Sequence, residues 1–533
     1  MIKPKSLPAV ENLQTVSRAL LSVSDKTDLI PFAQRLAQCG IEIISTGGTA
    51  RTLREAGLQV KDVSEITGFP EIMDGRVKTL HPNIHGSLLA RRNNPDDLVQ
   101  LRGIGSELID LVVVNLYPFQ KAISQEAITD ALAIENIDIG GPTMIRAAAK
   151  NFFFVTVVTS SKDYDTVAQM LEENHNTLPL EFRRQMATKA FEHTAAYDTA
   201  IAQYFIKSHP KTEDTIFERP LQVNLPLVQA LRYGENPHQR AAFFGHPDRY
   251  FRKLHGKELS YNNLLDLSAA LFLIDEFKDA RPTAAILKHT NPCGVGTANV
   301  LSAAYKKAFS TDRQSPFGGI VAVNRPLDLA TAQAIDQIFT EMVIAPSFDE
   351  EALALLSKKQ NRRIIQMNQA ARFDHAPDIR SVIGGMLVQS RDSVLRSIED
   401  AKKHYVVVTD RQPTNAEWLD LDFAWRIAKH VKSNAIVYAK NGMTLGIGAG
   451  QMSRIDASEV AVMKGQKEAL DFTGCVVASD AFFPFADGLL AAANAGATAA
   501  IQPGGSIRDE EVIEAANQQN LAMVFTAKRH FRH

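Results

Sequence analysis

Lysine and histidine stand side by side at Lys288-His289, after the apolar run Ala284-Ala285-Ile286-Leu287 and before Thr290-Asn291-Pro292-Cys293-Gly294. The run reads as a buried strand, and Asn-Pro followed by Cys-Gly reads as a forced turn. Open α/β sheets bind ligands at strand ends, so a cation beside an imidazole there suits chemistry. Lysine supplies charge, and histidine moves a proton near neutral pH. By type and spacing alone the pair serves equally well as a surface lysine and a capping histidine. A second set lies near the N-terminus. Ser45-Thr46-Gly47-Gly48-Thr49 follows a strand and opens a helix. That is an anion cradle of backbone N–H groups, or a plain tight turn. Arg76, Lys78, Thr79 and His81 fall between Gly75 and Pro82, forming an anion-binding loop or a solvated basic one.

The elements that must position these residues follow from the apolar pattern. Arg18 to Val23 and Ile41 to Ile44 read as strands, with a helix from Asp28 to Cys39 between them and another from Ala50 to Ala56. Leu111 to Asn115 and Val155 to Val158 are further strands, and Asp138-Ile139-Gly140-Gly141 opens a helix that carries Arg146 and ends near Lys150. Strands alternating with helices predict a doubly wound parallel sheet. Phe182 to Tyr204 reads as one or two long helices, and the polar stretch Lys207 to Pro220 as a linker. Further on, helices are expected over Leu264 to Phe277 and Phe423 to Val431, with strands at Ile320 to Val323, Ile436 to Lys440 and Leu521 to Thr526. Asn441-Gly442 marks a hairpin. Gly446, Gly448 and Gly450 are spaced G-x-G-x-G without a long βαβ unit, which excludes a Rossmann reading. No internal repeat is visible.

Composition bounds the function. A chain of 533 residues holds about two to four domains. A net charge of −2 gives no global case for nucleic acid or a membrane surface. No apolar run is long enough to span a bilayer, and no signal peptide is seen. Cys39, Cys293 and Cys475 are too few and too scattered for a disulfide framework or a cysteine zinc site. A reducing cytoplasm is the expected compartment, and no metal site is expected.

The motifs SVSDK (22–26), STGGT (45–49), DGRVKTLHP (74–82), NLYP (115–118), DIGG (138–141) and RAAAKN (146–151) resemble the IMP cyclohydrolase domain of the bifunctional purine-biosynthesis enzymes. That domain has a methylglyoxal-synthase-like fold. KHTNPCG (288–294) resembles the other half of the same enzymes, the AICAR transformylase. The resemblance runs from about Arg18 to His533 in family order and looks like the bacterial form. It implies an α/β protein of two domains: residues 1–210 for the cyclohydrolase with a helical extension, and 220–533 for a larger transformylase with cytidine-deaminase-like subdomains.

For the first domain the resemblance implies ring closure of formyl-AICAR (FAICAR) to IMP and water. The carboxamide nitrogen attacks the formyl carbon, so an oxyanion must be stabilised and protons relayed. Lys78, Tyr117, Asp138 and Lys150 match the residues assigned to this chemistry. Ser22, Lys26, Thr46, Gly47, Arg76 and Thr79 match nucleotide-binding positions. Phe152 departs from a frequent family histidine.

For the second domain the resemblance implies formyl transfer from 10-formyltetrahydrofolate to AICAR. The acceptor is a weakly nucleophilic aromatic amine, so a base is needed; His289 matches it. Lys288 suits the oxyanion or the leaving nitrogen, and Asn434 assists by hydrogen bonding. Arg232, Tyr233, Asn263, Phe317, Gly318, Glu341 and Arg529 match substrate positions. Pro316 and Lys528 depart from the small and apolar residues common there. Arg454 matches the folate or nucleotide site. Phe482 and Asp487 would serve the pteridine wall and its amino-pyrimidine edge, although three phenylalanines around Pro484 also suit a core. The family implies a homodimer, and some members hold a structural monovalent cation. A rival reading is a formyltransferase whose N-terminal domain only senses nucleotide, as in the effector domains of carbamoyl-phosphate synthetases. The set Lys78, Tyr117, Asp138 and Lys150 argues against it. The DGRVKTLHP motif and the second domain disfavour a methylglyoxal synthase.

Overall fold

The computed structural model describes residues 7–123, 128–208, 220–371, 373, 377–392 and 402–533. The chain divides into two compact units, Met1–Asn224 and Leu225–His533. Most of the expected linker, 209–219, lies outside the described residues.

The first unit is built on five strands: β1 (Arg18–Val23), β2 (Glu42–Ser45), β3 (Lys61–Asp62), β4 (Leu111–Asn115) and β5 (Thr156–Val158). Their order is β3-β2-β1-β4-β5, and every pairing is parallel. Parallel sheets are covered on both faces, and the apolar cores here lie one on each side. Helices α1 (Leu29–Gln38), α2 (Gly47–Glu55), α3 (Gly140–Lys150) and α4 (Leu180–Ser208) belong to this unit. From β1 the chain winds first to β2 and β3, then crosses back to β4 and β5. The order therefore reverses between β1 and β4, where a crevice opens at the carboxyl ends of both strands.

The second unit holds one sheet of twelve strands. In chain order these are β6 (Phe251–His255), β7 (Thr283–Lys288), β8 (Asn291–Thr297), β9 (Gly319–Val323), β10 (Thr340–Ala345), β11 (Arg363–Met367), β12 (Val406–Val407), β13 (Ile436–Lys440), β14 (Met443–Gly448), β15 (Cys475–Ser479), β16 (Ala497–Gln502) and β17 (Ala522–Phe525). The sheet order is β6-β11-β10-β9-β7-β8-β14-β13-β15-β16-β17-β12. Read outward from the β8–β14 seam, the two halves are the same. Each has a hairpin, a third strand antiparallel to it, two parallel strands and an antiparallel edge. Equivalent helices also recur: α5 (Tyr261–Asp275) with α7 (Asn415–Ala428), and α6 (Leu301–Thr311) with α8 (Arg454–Lys467). The fold is duplicated although no sequence repeat is visible.

The turn at the chemistry-bearing pair differs from the sequence expectation. Asn291, Pro292, Cys293 and Gly294 do not turn; they begin strand β8. The turn is His289-Thr290 itself, at φ 52° and 63°. The glycines serve close packing instead. A Cβ on Gly294 or Gly296 would lie 2.0 or 2.4 Å from carbonyl oxygens of α6, and one on Gly446 or Gly448 would lie 2.1 or 1.8 Å from those of α8. Each hairpin's second strand thus rests on the helix that follows it. The expected single or double helix after Phe182 is one helix, α4.

Candidate functional sites

The crevice of the first unit is a cavity of about 690 Å³. Its floor is two helix starts. The side chain of Thr46, the residue before α2, makes no capping hydrogen bond, so the first N–H groups of α2 face the cavity as an anion site, while at the start of α3 Asp138 caps Gly141 N. Lys78 Nζ stands 2.9 Å, and Lys26 Nζ 3.8 Å, from where a Cβ would sit on Gly47 and Gly48. Ser22 Oγ and Thr46 Oγ1 are 3.2 Å apart. Thr79 is buried, and its hydroxyl reaches the start of α3. Arg76 lines the wall, paired with Glu135.

Asp138 carries the acid–base potential. Burial pushes its carboxyl above the usual range, partly offset by the backbone N–H groups of Gly141 and Tyr117. Gly141 N donates to Oδ1 at 2.8 Å. The Tyr197 hydroxyl receives the Asp138 backbone N–H at 2.8 Å. A buried carboxyl with a raised pKa in the same cavity as the Lys78 ammonium suits proton relay. The Tyr117 ring is half exposed at the cavity mouth. Lys150 does not join this group. It is exposed at the last residue of α3, about 15 Å along the helix from the glycines that line the cavity. Glu71, which pairs with Lys78 at 2.9 Å, escaped sequence reasoning.

In the second unit the site gathers at the β7–β8 hairpin tip. Lys288 Nζ donates to Phe317 O at 2.9 Å. Phe317 stands 63% exposed with its ring 5.5 Å from Phe339, and Gly318 turns the chain at φ 73°. Asp266 Oδ1 accepts the Thr290 N–H at 2.6 Å. Asn291 Oδ1 accepts the Lys432 N–H at 3.0 Å, which ties the tip to the segment that ends at Asn434. Asn434 is itself fixed by Nδ2 to Met452 O at 3.0 Å.

Two groups flank this centre. On one side Glu341 Oε1 accepts from Asn263 Nδ2 at 2.9 Å and from Arg363 at 3.1 Å. On the other, Arg454 and Arg529 both lie against the Phe531 ring, at 5.9 and 4.3 Å. Arg454 also faces buried Asp480 at 3.7 Å. Burial and then the Arg529 charge lower the Arg454 pKa, against the pull of Asp480. Two adjacent arginines beside an exposed ring suit an anionic ligand. Arg232 lies over the Tyr233 ring in a loop joined to α5 through Asn262 and Glu235 O. Phe482 is half-buried. Asp487 is exposed at the start of the helix Ala486–Ala495, where its Oδ1 accepts from Gly488 N. Sequence reasoning missed Asp266, Ser433, Asp480 and Arg363. The signal for Asp266 was present: Ser260 and Asp266 recur six residues apart as Thr414 and Asp420.

Comparison with known proteins shows the family. The AICARFT/IMPCHase bienzyme family matches residues 148–464, and the MGS-like domain matches residues 28–143. The "Bifunctional purine biosynthesis protein PurH" of Chlorobium phaeobacteroides (strain BS1) is 55% identical over 97% of this chain and 99% of its own. The protein of the same name from Chloroflexus aurantiacus is 55% identical over 98% of this chain and 99% of its own. A solved structure titled "Crystal structure of ForH" is 38% identical, with a TM-score of 0.33, covering 35% of this chain and 96% of that one. With both family regions in order and more than half of its residues shared with full-length relatives, the chain belongs to the AICARFT/IMPCHase bienzyme family.

Proposed function

We propose that the two units divide the family's two reactions: the first closes FAICAR to IMP, and the second formylates AICAR. The chain is a bifunctional purine-biosynthesis enzyme whose formyl donor is of the folate type, and 10-formyltetrahydrofolate is the donor that fits the resemblance. The observation that carries the first assignment is the convergence of Lys78, Asp138 and Tyr117 on a cavity floored by two helix N-termini.

In ring closure the helix starts, Lys26 and Arg76 hold the nucleotide phosphate. The carboxamide nitrogen forms a bond to the formyl carbon, and Asp138 takes the nitrogen's proton. Lys78 meets the oxyanion, with the Tyr117 hydroxyl at the mouth. The oxygen takes two protons and leaves as water while the former formamide nitrogen gives up its own proton, leaving the aromatic ring of IMP. In formyl transfer the AICAR amine attacks the formyl carbon, and His289 takes its proton. Lys288 serves the oxyanion or the departing folate nitrogen. Asn434 orients the formyl group, Glu341 and Asn263 the ribose, and Arg529 the phosphate.

The assembly we propose is a homodimer. Among the described residues the hairpin Asp378–Val382 with Gly385–Gln389 pairs with no other strand, and it exposes Ile379 and Met386 on one face, Leu387 on the other and Ile383 at the turn, apolar surface suited to a second copy. A structural monovalent cation would find its acid at Asp480, whose buried Oδ1 accepts no hydrogen bond from a described residue, although Arg454 already stands 3.7 Å from that oxygen, and whose Oδ2 bonds Ser433. No described helix is long and apolar enough to cross a membrane, and the three cysteines are free, in keeping with a cytoplasmic enzyme.

The test is an absorbance assay with purified protein, AICAR and 10-formyltetrahydrofolate, with products identified by chromatography. IMP is the expected product. FAICAR without IMP would reduce the first unit to a binding module. No formyl transfer would overturn the reading of Lys288-His289.

A further inference from the structure

The duplicated fold offers an internal control for the hairpin that carries His289. In both halves a capped helix presents an aspartate to the turn of the hairpin that follows. Ser260 caps α5 and Thr414 caps α7, each in a reciprocal capping box. Asp266 and Asp420 occupy the same place in these helices, six residues after the cap. The turns match as well: His289-Thr290 has φ 52° and 63°, and Asn441-Gly442 has φ 53° and 63°. Even the lysines before the turns correspond. Lys288 Nζ donates to Phe317 O and Lys440 Nζ to Thr473 O, just before Gly318 and Gly474, both at φ 73°.

The two aspartates differ in one respect. Asp420 spends both oxygens on backbone: Oδ1 accepts Gly442 N and Oδ2 accepts Asn441 N, each at 2.7 Å. Asp266 spends one. Its Oδ1 accepts Thr290 N at 2.6 Å, while Oδ2 accepts no hydrogen bond from a described residue. The turn is also of less suitable residues. Asn-Gly takes left-handed backbone readily, whereas His-Thr does not, and a β-branched residue there is an outlier. The half with the strained turn thus has the aspartate with an oxygen to spare. Asp266 bonds the Thr290 N–H and lies within electrostatic reach of the His289 imidazole and the Glu341 carboxylate.

We propose that Asp266 is the positioning residue for His289: Oδ1 fixes the turn, and Oδ2 receives the imidazole N–H while the opposite ring nitrogen takes the proton of the AICAR amine. A carboxylate behind the ring sets its tautomer and stabilises the imidazolium that forms. One proton moves, from the amine to His289, and Asp266 stays ionised. The second half needs no such oxygen, because Asn441 stands where His289 does. This inference rests on the role given to His289 above.

The experiment compares equivalent substitutions in the full-length protein. Asp266→Asn keeps an acceptor for Thr290 N–H and removes the carboxylate. It is expected to lower kcat for formyl transfer about 100-fold, with KM for AICAR, ring closure of supplied FAICAR and Tm little changed. Asp420→Asn turns one accepting oxygen into a donor against a buried N–H. It is expected to lower Tm and leave formyl transfer by the folded enzyme intact. Asp266→Asn with kcat within about 3-fold of wild type would overturn the inference. If Asp266→Asn also lowers Tm, the His289→Ala background decides. A loss that vanishes there supports the proposal, because coupled residues are non-additive; an equal loss in both backgrounds overturns it. Should His289→Ala itself retain formyl transfer, the role of His289 falls, and the inference falls with it.

Discussion

The Lys78 ammonium lies 2.9 Å from a Glu71 carboxylate oxygen, and Glu71 thereby holds the ammonium above Gly47 at the start of α2. A flexible lysine reaches the phosphate cradle only because an acid in the same loop restrains it. Glu71→Ala is expected to lower kcat for FAICAR ring closure 10- to 100-fold, the range typical of lost orienting partners. Formyl transfer should be unchanged. Stopped assays on authentic FAICAR check this, and an undiminished kcat would leave Glu71 a surface ion pair.

The two chemistries reside in separate units, so their losses should separate. His289→Ala is expected to reduce formyl transfer to a residual rate and spare ring closure, and Lys78→Ala to do the reverse. Each should cost its own reaction about 100-fold or more. One substitution disabling both reactions in a folded protein would end the two-site division.

Acid stability has an identifiable source in α5 and α7. Glu276 is buried at the end of α5, with Lys429 Nζ at 2.6 Å and His430 Nε2 at 3.2 Å. Burial pushes its pKa up, but the hydrogen bonds and charge beside it win and bring it from 4.5 to about 2. Burial lowers the His430 pKa against the pull of Glu276, and Lys429 adds its charge on the same carboxylate. A depressed carboxylate contributes stability above its unfolded pKa and loses it as pH falls through the folded one. The window is therefore about pH 4.5 down to 2, with a loss on the order of 2 kcal/mol. Thermal melts between pH 7 and 3 test this. Glu276→Gln should melt lower at pH 7, since it removes the buried carboxylate that pairs with Lys429, and should show a shallower acid slope.

The parallel sheet of the first unit was legible because its strands are continuous apolar runs with glycines and hydroxyls at their ends. Lys78, Thr79 and Asp138 were legible because they sit in motifs. The duplication was not. Its halves share a burial pattern and a few residues, such as Ser260 with Thr414 and Asp266 with Asp420, scattered too thinly to register as a repeat. The Asn291-Pro292 turn was misread because local turn propensity was weighed without the helix behind Gly294 and Gly296. Lys150 was carried by motif alone, and only the length of α3 reveals that it stands at the far end of the helix.

That packing makes its own prediction. A Cβ on Gly448 would lie 1.8 Å from Ala457 O, a backbone atom that no side-chain rotation relieves. Gly448→Ala should destabilise the second unit by about 3 kcal/mol or more, whereas Gly450→Ala, with open space around it, pays only for its left-handed backbone, about 1 kcal/mol. Chemical denaturation of both variants separates these; equal losses would refute the packing account.

The C-terminal residues act on Asn434 from a distance. Arg532 exchanges two hydrogen bonds with Ser433, backbone N to Oγ at 3.0 Å and O from backbone N at 2.9 Å. Its Nη1 donates to His430 O at 2.9 Å. The tail therefore pins the segment directly before Asn434 at two points, and Ser433 Oγ passes the restraint on to Asp480 at 2.5 Å. Arg532→Ala removes the guanidinium anchor and leaves the backbone pair. It should lower kcat for formyl transfer about 10-fold by loosening Asn434, while deletion of Arg532 and His533 should lower it further. Ring closure of supplied FAICAR is the internal control, because Arg532 lies in the other unit. If both variants transfer formyl groups at the wild-type rate per folded molecule, the tail is a packing element with no part in placing Asn434.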